Sequence, residues 1–379
     1  MTDLRKINVA ISLLLSEKPG ISIWSNGAVQ HSVFLFNTLK NLPFVDNVWL
    51  GTYGSEKLHS KWLMDDIQQS IAPMSDVIEE TDLLIELSAM VPEHHIRVVR
   101  DRGGKYVTYK IGNDLILAME SMIFNAHSDW IPNPKRLHAD AVWTNAQFVN
   151  SCATFFEHMY KARPVCLPHL WSPFFLEKAI RSNLKSQLGW PYKAQFEKSG
   201  KKISVFEPNI SVVKTSTIPF LISAIFYEKN KAAVENIYIY NGMKIKQNRA
   251  FKRLVMSTDA GSQRVASAEG RFNFADAMGQ NSGVVVTHQW ENALNYLYYE
   301  ALYGGFALVH NSPFLKDVGY YYEGFDVEDG VRALERAVFE HDENLEAYRE
   351  NANAFLATVD PASEQVIAEY DREVRRLIS

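Results

Sequence analysis

The stretch that decides the fold is SGVVVTHQWENALNYLYYEALYGGFALVHNSPFLKDVGYYYEGF, residues 282–325. A buried strand at 284–287 should lead into the polar turn His-Gln-Trp-Glu-Asn, because an apolar run ends there. A helix over 292–303 should follow and stop at Gly304-Gly305, since glycine relieves the left-handed turn after a helix. With a second strand at 306–310, the order of elements predicts two parallel strands of one sheet.

The same alternation of short apolar runs and helical stretches continues on both sides. In the second half, strands are predicted at 203–206, 237–240 and 265–268, and a helix at 217–227. In the first half, a helix is predicted at 29–39, and strands at 7–15, 48–52, 83–87, 98–99, 106–109 and 141–144. The sequence therefore predicts an α/β protein with two parallel sheets.

A polar stretch separates the two halves. Lysines, glutamates, glycines and a proline accumulate between about residues 185 and 202, as in linkers between domains. We therefore expect a first domain at 1–190, a second at 200–360 and a C-terminal helix at 361–379. Ligands of such folds usually lie at the carboxyl edges of the strands, which predicts a site in a cleft between the two sheets.

Composition excludes several protein classes. The chain has 379 residues, 47% of them hydrophobic, and a net charge of 39 − 44 = −5, which argues against disorder and against a chain-wide polyanion-binding surface. The apolar run 7–15 follows two cations like a secretion signal, but it lacks a small-residue cleavage site and is predicted to be a strand. Cys152 and Cys166 show no metal-like spacing. With no apolar stretch long enough to span a bilayer, we expect a cytoplasmic protein.

The usual nucleotide and hydrolase motifs are missing. The sequence contains no G-x-G-x-x-G, no P-loop, no G-x-S-x-G, no H-E-x-x-H and no Asp-x-Asp pair. We therefore expect no metal site and no resident cofactor.

The polar turn between the strand at 284–287 and the following helix carries the chemistry. Free N–H groups and the positive end of the helix dipole near Asn292 would suit a phosphate, and His288 and Glu291 are candidate catalytic residues. Glu291 and Glu300 are nine positions apart, about 900° on one helix, so both can face one ligand only if Glu291 lies in the turn. Packing of a buried strand against an amphipathic helix is the structural alternative.

This pattern resembles the second domain of GT-B glycosyltransferases. Many retaining members carry two glutamates eight positions apart; the first binds the donor sugar and the second binds the nucleotide ribose. The spacing in this chain is one residue longer. The resemblance assigns these roles to Glu291 and Glu300. It implies two Rossmann-like domains whose parallel sheets face each other across a cleft, with C-terminal helices crossing back. The chain also resembles a bacterial and phage family of GT-B-like proteins of unknown function, through residues 206–209, 269–271, 288–292 and 309–312.

The resemblance also implies a metal-independent diphosphate site. GT-B enzymes place a basic residue at about the positions of Lys214 and Arg271, and Asn209 lies in the same loop as Lys214. A nucleotide-sugar, most simply a UDP-sugar, would be the donor and a co-substrate. Solvated surface is the structural alternative for both cations.

The first domain should supply the acceptor side. Ser25 or Asn26 can cap the helix that follows, and Gly27 permits close approach of a ligand. Glu86, at the end of a strand, is the candidate general base. Weaker candidates for the acceptor site or the base are His31, Asn113, His127 and His169.

The leading hypothesis is a glycosyltransferase, leaning to retention, that acts on a hydroxyl of a glycan, a protein or a modified base of phage DNA. A sugar-nucleotide epimerase or hydrolase of the same fold and a non-catalytic nucleotide-sugar-binding protein remain alternatives. Two cation-rich stretches, 94–110 and 244–253, could hold an anionic acceptor or be solvated rims. The oligomeric state cannot be derived from these patterns.

Overall fold

Two all-parallel β-sheets organise the chain. The computed structural model describes residues 5–18, 21–54, 60–125, 138–195 and 200–379. These form two compact units, one of residues 1–172 and 357–379 and the other of residues 173–356. The expected α/β class with two parallel sheets is confirmed.

The first unit contains seven strands in the order β3-β2-β1-β4-β5-β6-β7. The strands are β1 Ile7–Leu15, β2 Val45–Gly54, β3 Ile71–Pro73, β4 Leu83–Glu86, β5 Lys105–Lys110, β6 Ala141–Thr144 and β7 Pro164–Cys166. The helices between them are α1 Gly27–Leu39, α2 Met74–Val77, α3 Glu93–Asp101, α4 Asp114–Phe124 and α5 Ala146–Tyr160. Burial of the strand on both faces explains why β1 is largely apolar, with only Leu14 exposed.

The second unit contains six strands in the order β10-β9-β8-β11-β12-β13. Helices α6 Phe174–Ser182 and α7 Leu184–Gly189 precede β8 Lys201–Val205, β9 Val234–Ile239, β10 Ala266–Ala268, β11 Gly283–Val286, β12 Leu308–His310 and β13 Tyr320–Tyr321. The remaining helices are α8 Thr217–Lys229, α9 Arg249–Met256, α10 Asp259–Ser262, α11 Phe274–Gln280, α12 Tyr296–Tyr303, α13 Val327–Phe339 and α14 Leu345–Ala357.

Both sheets reverse their strand order at a corresponding place. In each sheet the chain adds its first three strands in one direction and then places the next strand on the other side of the first. The reversal therefore lies between β1 and β4 in the first sheet and between β8 and β11 in the second. Loops leave the carboxyl edge of a parallel sheet in opposite directions at such a point and leave a crevice for a ligand. The strand topology therefore predicts a binding site after β8 and β11.

Helix α15, Glu364–Ile378, belongs to the first unit although it ends the chain. The indole of Trp143 donates to Glu373 at 2.9 Å, and the hydroxyls of Tyr109 and Tyr370 lie 2.6 Å apart. Buried polar pairs of this kind fix the register of a docked helix. The expected return of the C-terminal helix is therefore present.

The compact units differ from the predicted domain bounds at residues 173–190. These residues pack on α11, where the Asp276 carboxylate accepts hydrogen bonds from Asn183 and Ser186, each at 2.5 Å. A Cβ on Gly279 would lie 2.5 Å from the Cα of Ser186, so glycine permits this close helix contact. The stretch that suggested a linker therefore begins within α7, which belongs to the second unit.

One predicted element is wrong, and one predicted helix begins later than expected. Residues 98–99 lie in α3, not in a strand, because Ile96 and Val99 bury one face of a helix that begins after Pro92. The helix predicted from residue 292 begins only at Tyr296, where the Asn295 side chain accepts the N–H of Leu297 at 3.2 Å.

Candidate functional site

The crevice between β8 and β11 is organised by one buried carboxylate. Glu207 follows β8 and is 1% exposed. It accepts hydrogen bonds from the Thr287 hydroxyl, from the His288 N–H at 3.0 Å and from the Gln289 side-chain amide at 2.6 Å. Burial raises the pKa of Glu207 to about 7, although these hydrogen bonds oppose the shift. Glu207 thus ties the end of β8 to the turn that follows β11.

A second side chain, Asn311 after β12, holds the same turn from the other side. Its amide oxygen accepts the Gln289 N–H, and its amide nitrogen donates to the Gln289 carbonyl, both at 3.0 Å. The Asn292 amide donates to the Gln289 side chain at 3.0 Å. With both backbone groups and the side chain of Gln289 bonded, the turn is preorganised.

Glu291 occupies the exposed tip of this turn. Its φ of 49° lies in the left-handed region, which costs a non-glycine residue about 1 kcal/mol or more. Such conformations persist where surrounding contacts determine them, and they cluster at ligand sites. The structure therefore puts Glu291 in the turn and Glu300 on the helix, which is the arrangement that the nine-residue spacing requires if both are to face one ligand.

His288 has a ring nitrogen, Nε2, that can accept a hydrogen bond but has no partner among the described residues. The Tyr322 hydroxyl donates its only proton to the Thr287 carbonyl at 2.9 Å, so the Nδ1 of His288, 2.9 Å from that hydroxyl, must be the donor. The Nε2 atom is then an unprotonated acceptor, and it has no hydrogen-bond partner among the residues described. Burial lowers the pKa of His288 to about 4, so the ring is neutral at pH 7.

One exposed aromatic ring lies beside the His288 ring, and a second lies beside the first. The Phe325 ring lies 4.5 Å from the His288 ring and 6.4 Å from the Trp290 ring. Phe325 is 56% and Trp290 41% exposed, high values for rings of this size. The carboxyl edge of β11 therefore combines a buried acceptor with two apolar faces.

Glu300 is a buried carboxyl on α12. It is 6% exposed and has no hydrogen-bond or ion-pair partner for its side chain within the described ranges. Burial alone raises the pKa of Glu300 to about 8. Below pH 8 the Glu300 side chain is therefore mainly the neutral acid, which avoids the cost of a buried charge that has no partner within the described ranges.

Lys214 is a half-buried ammonium in the loop after β8. None of the ion pairs between described residues includes Lys214, and burial lowers its pKa while the charge of Glu207 opposes that shift. Asn209 shapes the loop: with a φ of 54°, it accepts the Ser216 N–H at 2.9 Å and donates its own N–H to the Lys214 carbonyl at 3.2 Å. Asn209 therefore positions the segment that carries Lys214.

Arg271 lies on the exposed loop after β10. The loop is fixed by the N–H groups of Asn241 and Met243, which donate to the carbonyls of Gly270 and Glu269, each at 3.0 Å. The structure thus places both predicted cations on loops at the carboxyl edge of the sheet, after β8 and β10 respectively.

In the first unit, Glu86 ends β4 beside the strand-order reversal. Its carboxylate accepts the Val91 N–H at 2.8 Å and the Thr108 hydroxyl at 3.3 Å, and it is 5% exposed. These bonds shape the loop that follows β4. Sequence reasoning predicted a general base here, and the structure assigns the same carboxylate a part in the local fold.

The remaining candidates of the first unit have structural contacts. The side chains of Asn26 and Asn113 cap α1 and α4, accepting N–H groups at 3.0 and 3.1 Å, and Gly27 is the first residue of α1. His31 is fully buried, and its ring lies 5.0 Å from Tyr109 and 5.5 Å from His169. Burial, followed by the nearby His169, lowers the pKa of His31. His127 lies outside the described residues.

Sequence reasoning missed Glu207, Asn311 and Tyr322. Glu207 and Asn311 stand in the quoted segments 206–209 and 309–312, but only the position of a polar residue directly after a strand could have indicated a role. Tyr322 had no such signal.

Within the described ranges, no group of three or more His, Cys, Asp or Glu side chains could hold a metal ion. In the same residues, no helix has the length and apolar character to cross a membrane.

The chain belongs to the DUF2827 family of proteins of unknown function, whose profile matches residues 9–374. No curated protein matches it. Similar solved structures include a mutant O-GlcNAc transferase of Thermobaculum terrenum, with a TM-score of 0.59 and 12% identity over 99% of this chain and 68% of that one. The UDP-forming trehalose-phosphate synthase of Burkholderia xenovorans has a TM-score of 0.56 and 11% identity, over 98% of this chain and 100% of that one. HepE of Anabaena in complex with UDP-glucose has a TM-score of 0.56 and 15% identity, over 97% of this chain and 100% of that one.

These neighbours are GT-B glycosyltransferases, so the predicted GT-B resemblance is confirmed at the level of the fold. Identities of this size establish no shared substrate.

Proposed function

We propose that this GT-B member of the DUF2827 family is a glycosyltransferase that uses a nucleotide-diphosphate sugar without a metal ion. The observation that carries the proposal is Lys214, a half-buried cation with no ion pair in the described part of the chain, within electrostatic reach of Glu207. A diphosphate would supply the anion that such a lysine requires. Lys214 also follows β8, beside the strand-order reversal where ligands of α/β folds bind.

The diphosphate would be held by cations and by the end of a helix. Lys214 and Arg271 would each neutralise part of its charge, and the N-terminal end of α12 would add the positive end of the helix dipole. Asn292 and Asn209 would contribute indirectly: Asn292 holds the turn before α12 in place, and Asn209 holds the loop that carries Lys214.

The nucleoside would meet Glu300. Its buried carboxyl would form hydrogen bonds with the ribose hydroxyls, and these would satisfy a group that has no partner within the described ranges. The HepE complex contains UDP-glucose, which makes a UDP-sugar the first donor to test.

The sugar would lie at the turn after β11. The bare Nε2 of His288 would accept a sugar hydroxyl, and Glu291 at the exposed tip would bind the sugar from the outside. With a pKa of about 4, His288 is a weak base, so this placement suits a binding role better than proton abstraction.

We favour a retaining reaction, because Glu291 and Glu300 resemble the paired glutamates of retaining enzymes, although they are one position farther apart. Glu86 would serve as base only in an inverting reaction, and its carboxylate already accepts two protein hydrogen bonds. The acceptor would be a hydroxyl of a glycan, a protein or a modified DNA base.

A thermal-shift screen with UDP-, GDP-, ADP- and dTDP-sugars tests the proposal. A ligand at 100 times its Kd should stabilise the protein by about 2.7 kcal/mol. We expect a UDP-sugar to raise the Tm of the wild type and of Lys202→Met, a control lysine that pairs with Glu235, but not of Lys214→Met. Equal shifts in all three proteins, or no shift with any nucleotide, would contradict a donor site at Lys214.

Nucleotide release separates transfer from the two alternatives. A transferase should release nucleotide faster when its acceptor is present. An epimerase or hydrolase should turn over the donor alone, and a binding protein should turn over nothing while still showing the Tm shift.

A further inference from the structure

A cation-rich surface on α9 and the loop before it has no part in the proposed donor site. It comprises Lys244, Lys246, Arg249, Lys252 and Arg253, together with Met243 and Met256, and we call it the α9 surface. The segment 241–258 contains five cations and no acid, in a chain of net charge −5. Such local concentration of one sign indicates an anionic partner.

The cations of the α9 surface are uncompensated. No carboxylate among the described residues forms an ion pair with any of the five, and the Lys252 ammonium donates only to the neutral Gln247 side chain, at 2.7 Å. The acids bordering the segment are engaged elsewhere: Asp259 with Lys231 at 2.6 Å, and Glu269 with the Ser267 hydroxyl at 2.6 Å. The positive potential of this surface therefore faces solvent.

The α9 helix is fixed in place although none of its residues is fully buried. Asn248 caps it by accepting the N–H groups of Ala250 and Phe251 at 2.8 and 3.2 Å. On its inner side a Cβ on Gly261 would lie 2.0 Å from the Val255 carbonyl, so glycine allows α10 to pack closely there. The outer face is thus presented rigidly.

Apolar side chains lie among the cations. At 100° per residue, Lys252, Met256, Arg249 and Arg253 share an arc of about 100° of the helix. Met256 is 61% exposed, and Met243, in the loop before α9, is 46% exposed. An exposed methionine within a basic face suits a surface that offers both negative headgroups and an apolar interior.

We propose that the α9 surface docks on a bilayer that contains anionic phospholipids. Each Lys or Arg near such a bilayer contributes attraction that decays within a Debye length, and the two methionines enter the headgroup boundary. A nucleic acid would also attract the cations, but it would leave the methionines without a role. The only aromatic residue of 241–258, Phe251, is half-buried and poorly placed to stack on bases. This proposal does not depend on the proposed glycosyltransferase activity.

Vesicle co-sedimentation of the full chain tests the proposal. The wild type should bind phosphatidylcholine vesicles that contain about one third phosphatidylglycerol, and should not bind pure phosphatidylcholine. In Arg249→Gln/Lys252→Gln/Arg253→Gln, binding should weaken by on the order of 100-fold. Glutamine is a good helix former, so α9 should persist, and an unchanged Tm checks this.

Two controls separate a bilayer from general electrostatics. Lys202→Gln/Lys229→Gln/Lys231→Gln removes the same charge from the same unit at lysines that already have ion pairs, and should retain wild-type binding. Met256→Ser changes no charge and should weaken vesicle binding several-fold. Equal losses in both triple variants, or no wild-type binding to anionic vesicles at low salt, would overturn the proposal. So would binding of duplex DNA through α9 without binding of vesicles.

Discussion

The Glu207 carboxylate accepts the backbone N–H of His288 at 3.0 Å, across 81 residues of sequence. The two residues follow neighbouring strands, β8 and β11, at the point where the strand order of the second sheet reverses. A carboxylate that accepts three hydrogen bonds at such a point acts as a clamp on the following turn. The shape of the candidate donor site is therefore set by a residue that needs no contact with the donor.

The hydrogen bond between Glu207 and Gln289 predicts that a second substitution can restore the stability lost by the first. Glu207→Gln should place an amide N–H group against the amide of Gln289, where the wild type has an acceptor 2.6 Å away. Losing this buried pair should cost about 1–3 kcal/mol of unfolding free energy. Glu207→Gln/Gln289→Glu restores donor and acceptor and should recover most of it. Chemical denaturation of the four proteins gives the coupling energy, and simple additivity would show that the two side chains do not interact.

Glu300 predicts a dependence of stability on pH that is the reverse of ordinary carboxylates. Its pKa is about 8 in the folded protein against 4.5 normally, so the unfolded chain releases its proton first as the pH rises. Stability should be fully present below pH 4.5 and should fall between pH 4.5 and 8. Glu300→Gln should remove this loss and be more stable than wild type at pH 8, by up to a few kcal/mol.

The same variant separates a ligand role from a structural one. Glu300→Gln should bind UDP about tenfold more weakly while it gains stability, because the carboxylate acceptor is lost. Calorimetry of UDP binding and denaturation at pH 8 measure the two effects. If Glu300→Gln were less stable than wild type at pH 8, the conclusion that Glu300 is a buried carboxyl with no partner in the described residues would be contradicted.

His288 predicts a loss confined to the sugar. Replacing it with Phe removes the bare Nε2 acceptor but keeps an apolar ring between Tyr322 and Phe325. UDP itself should bind as in wild type, whereas the extra affinity of the preferred UDP-sugar over UDP should fall about tenfold. Comparing both ligands on both proteins by calorimetry tests this. A parallel loss for UDP and UDP-sugar would place His288 outside the sugar site.

Much of the framework could be predicted because it depends on local patterns. The bounds of β1 agree to the residue, since a largely apolar run of nine residues has the length of a buried strand and lacks the cleavage site of a secretion signal. Lys214 and Glu300 could be predicted as site residues only through the family resemblance. Residues 98–99 suggest a strand because β-branched valines favour strands, whereas burial of Ile96 and Val99 on one face stabilises a helix there.

The network around the turn could not be predicted. Residues 287–289 form hydrogen bonds with Glu207, Asn311 and Tyr322, which lie 22 to 82 positions away in the chain, and no periodicity in the sequence predicts such pairings. The unit boundary after Ser172 was hidden for a similar reason, because composition does not reveal that α7 packs on α11.

His310 predicts a loss of stability in acid. The ring is fully buried and neutral: its Nδ1 accepts the Ser312 N–H at 3.1 Å, and its Nε2 donates to the Val318 carbonyl at 2.7 Å. Burial lowers its pKa to about 4 against 6.5 normally, so its contribution is present above pH 6.5 and lost as the pH falls toward 4. His310→Asn should therefore be less stable than wild type at pH 7, and the difference should shrink toward pH 4. Denaturation at both pH values measures it, and a constant difference would mean that His310 does not titrate in this range.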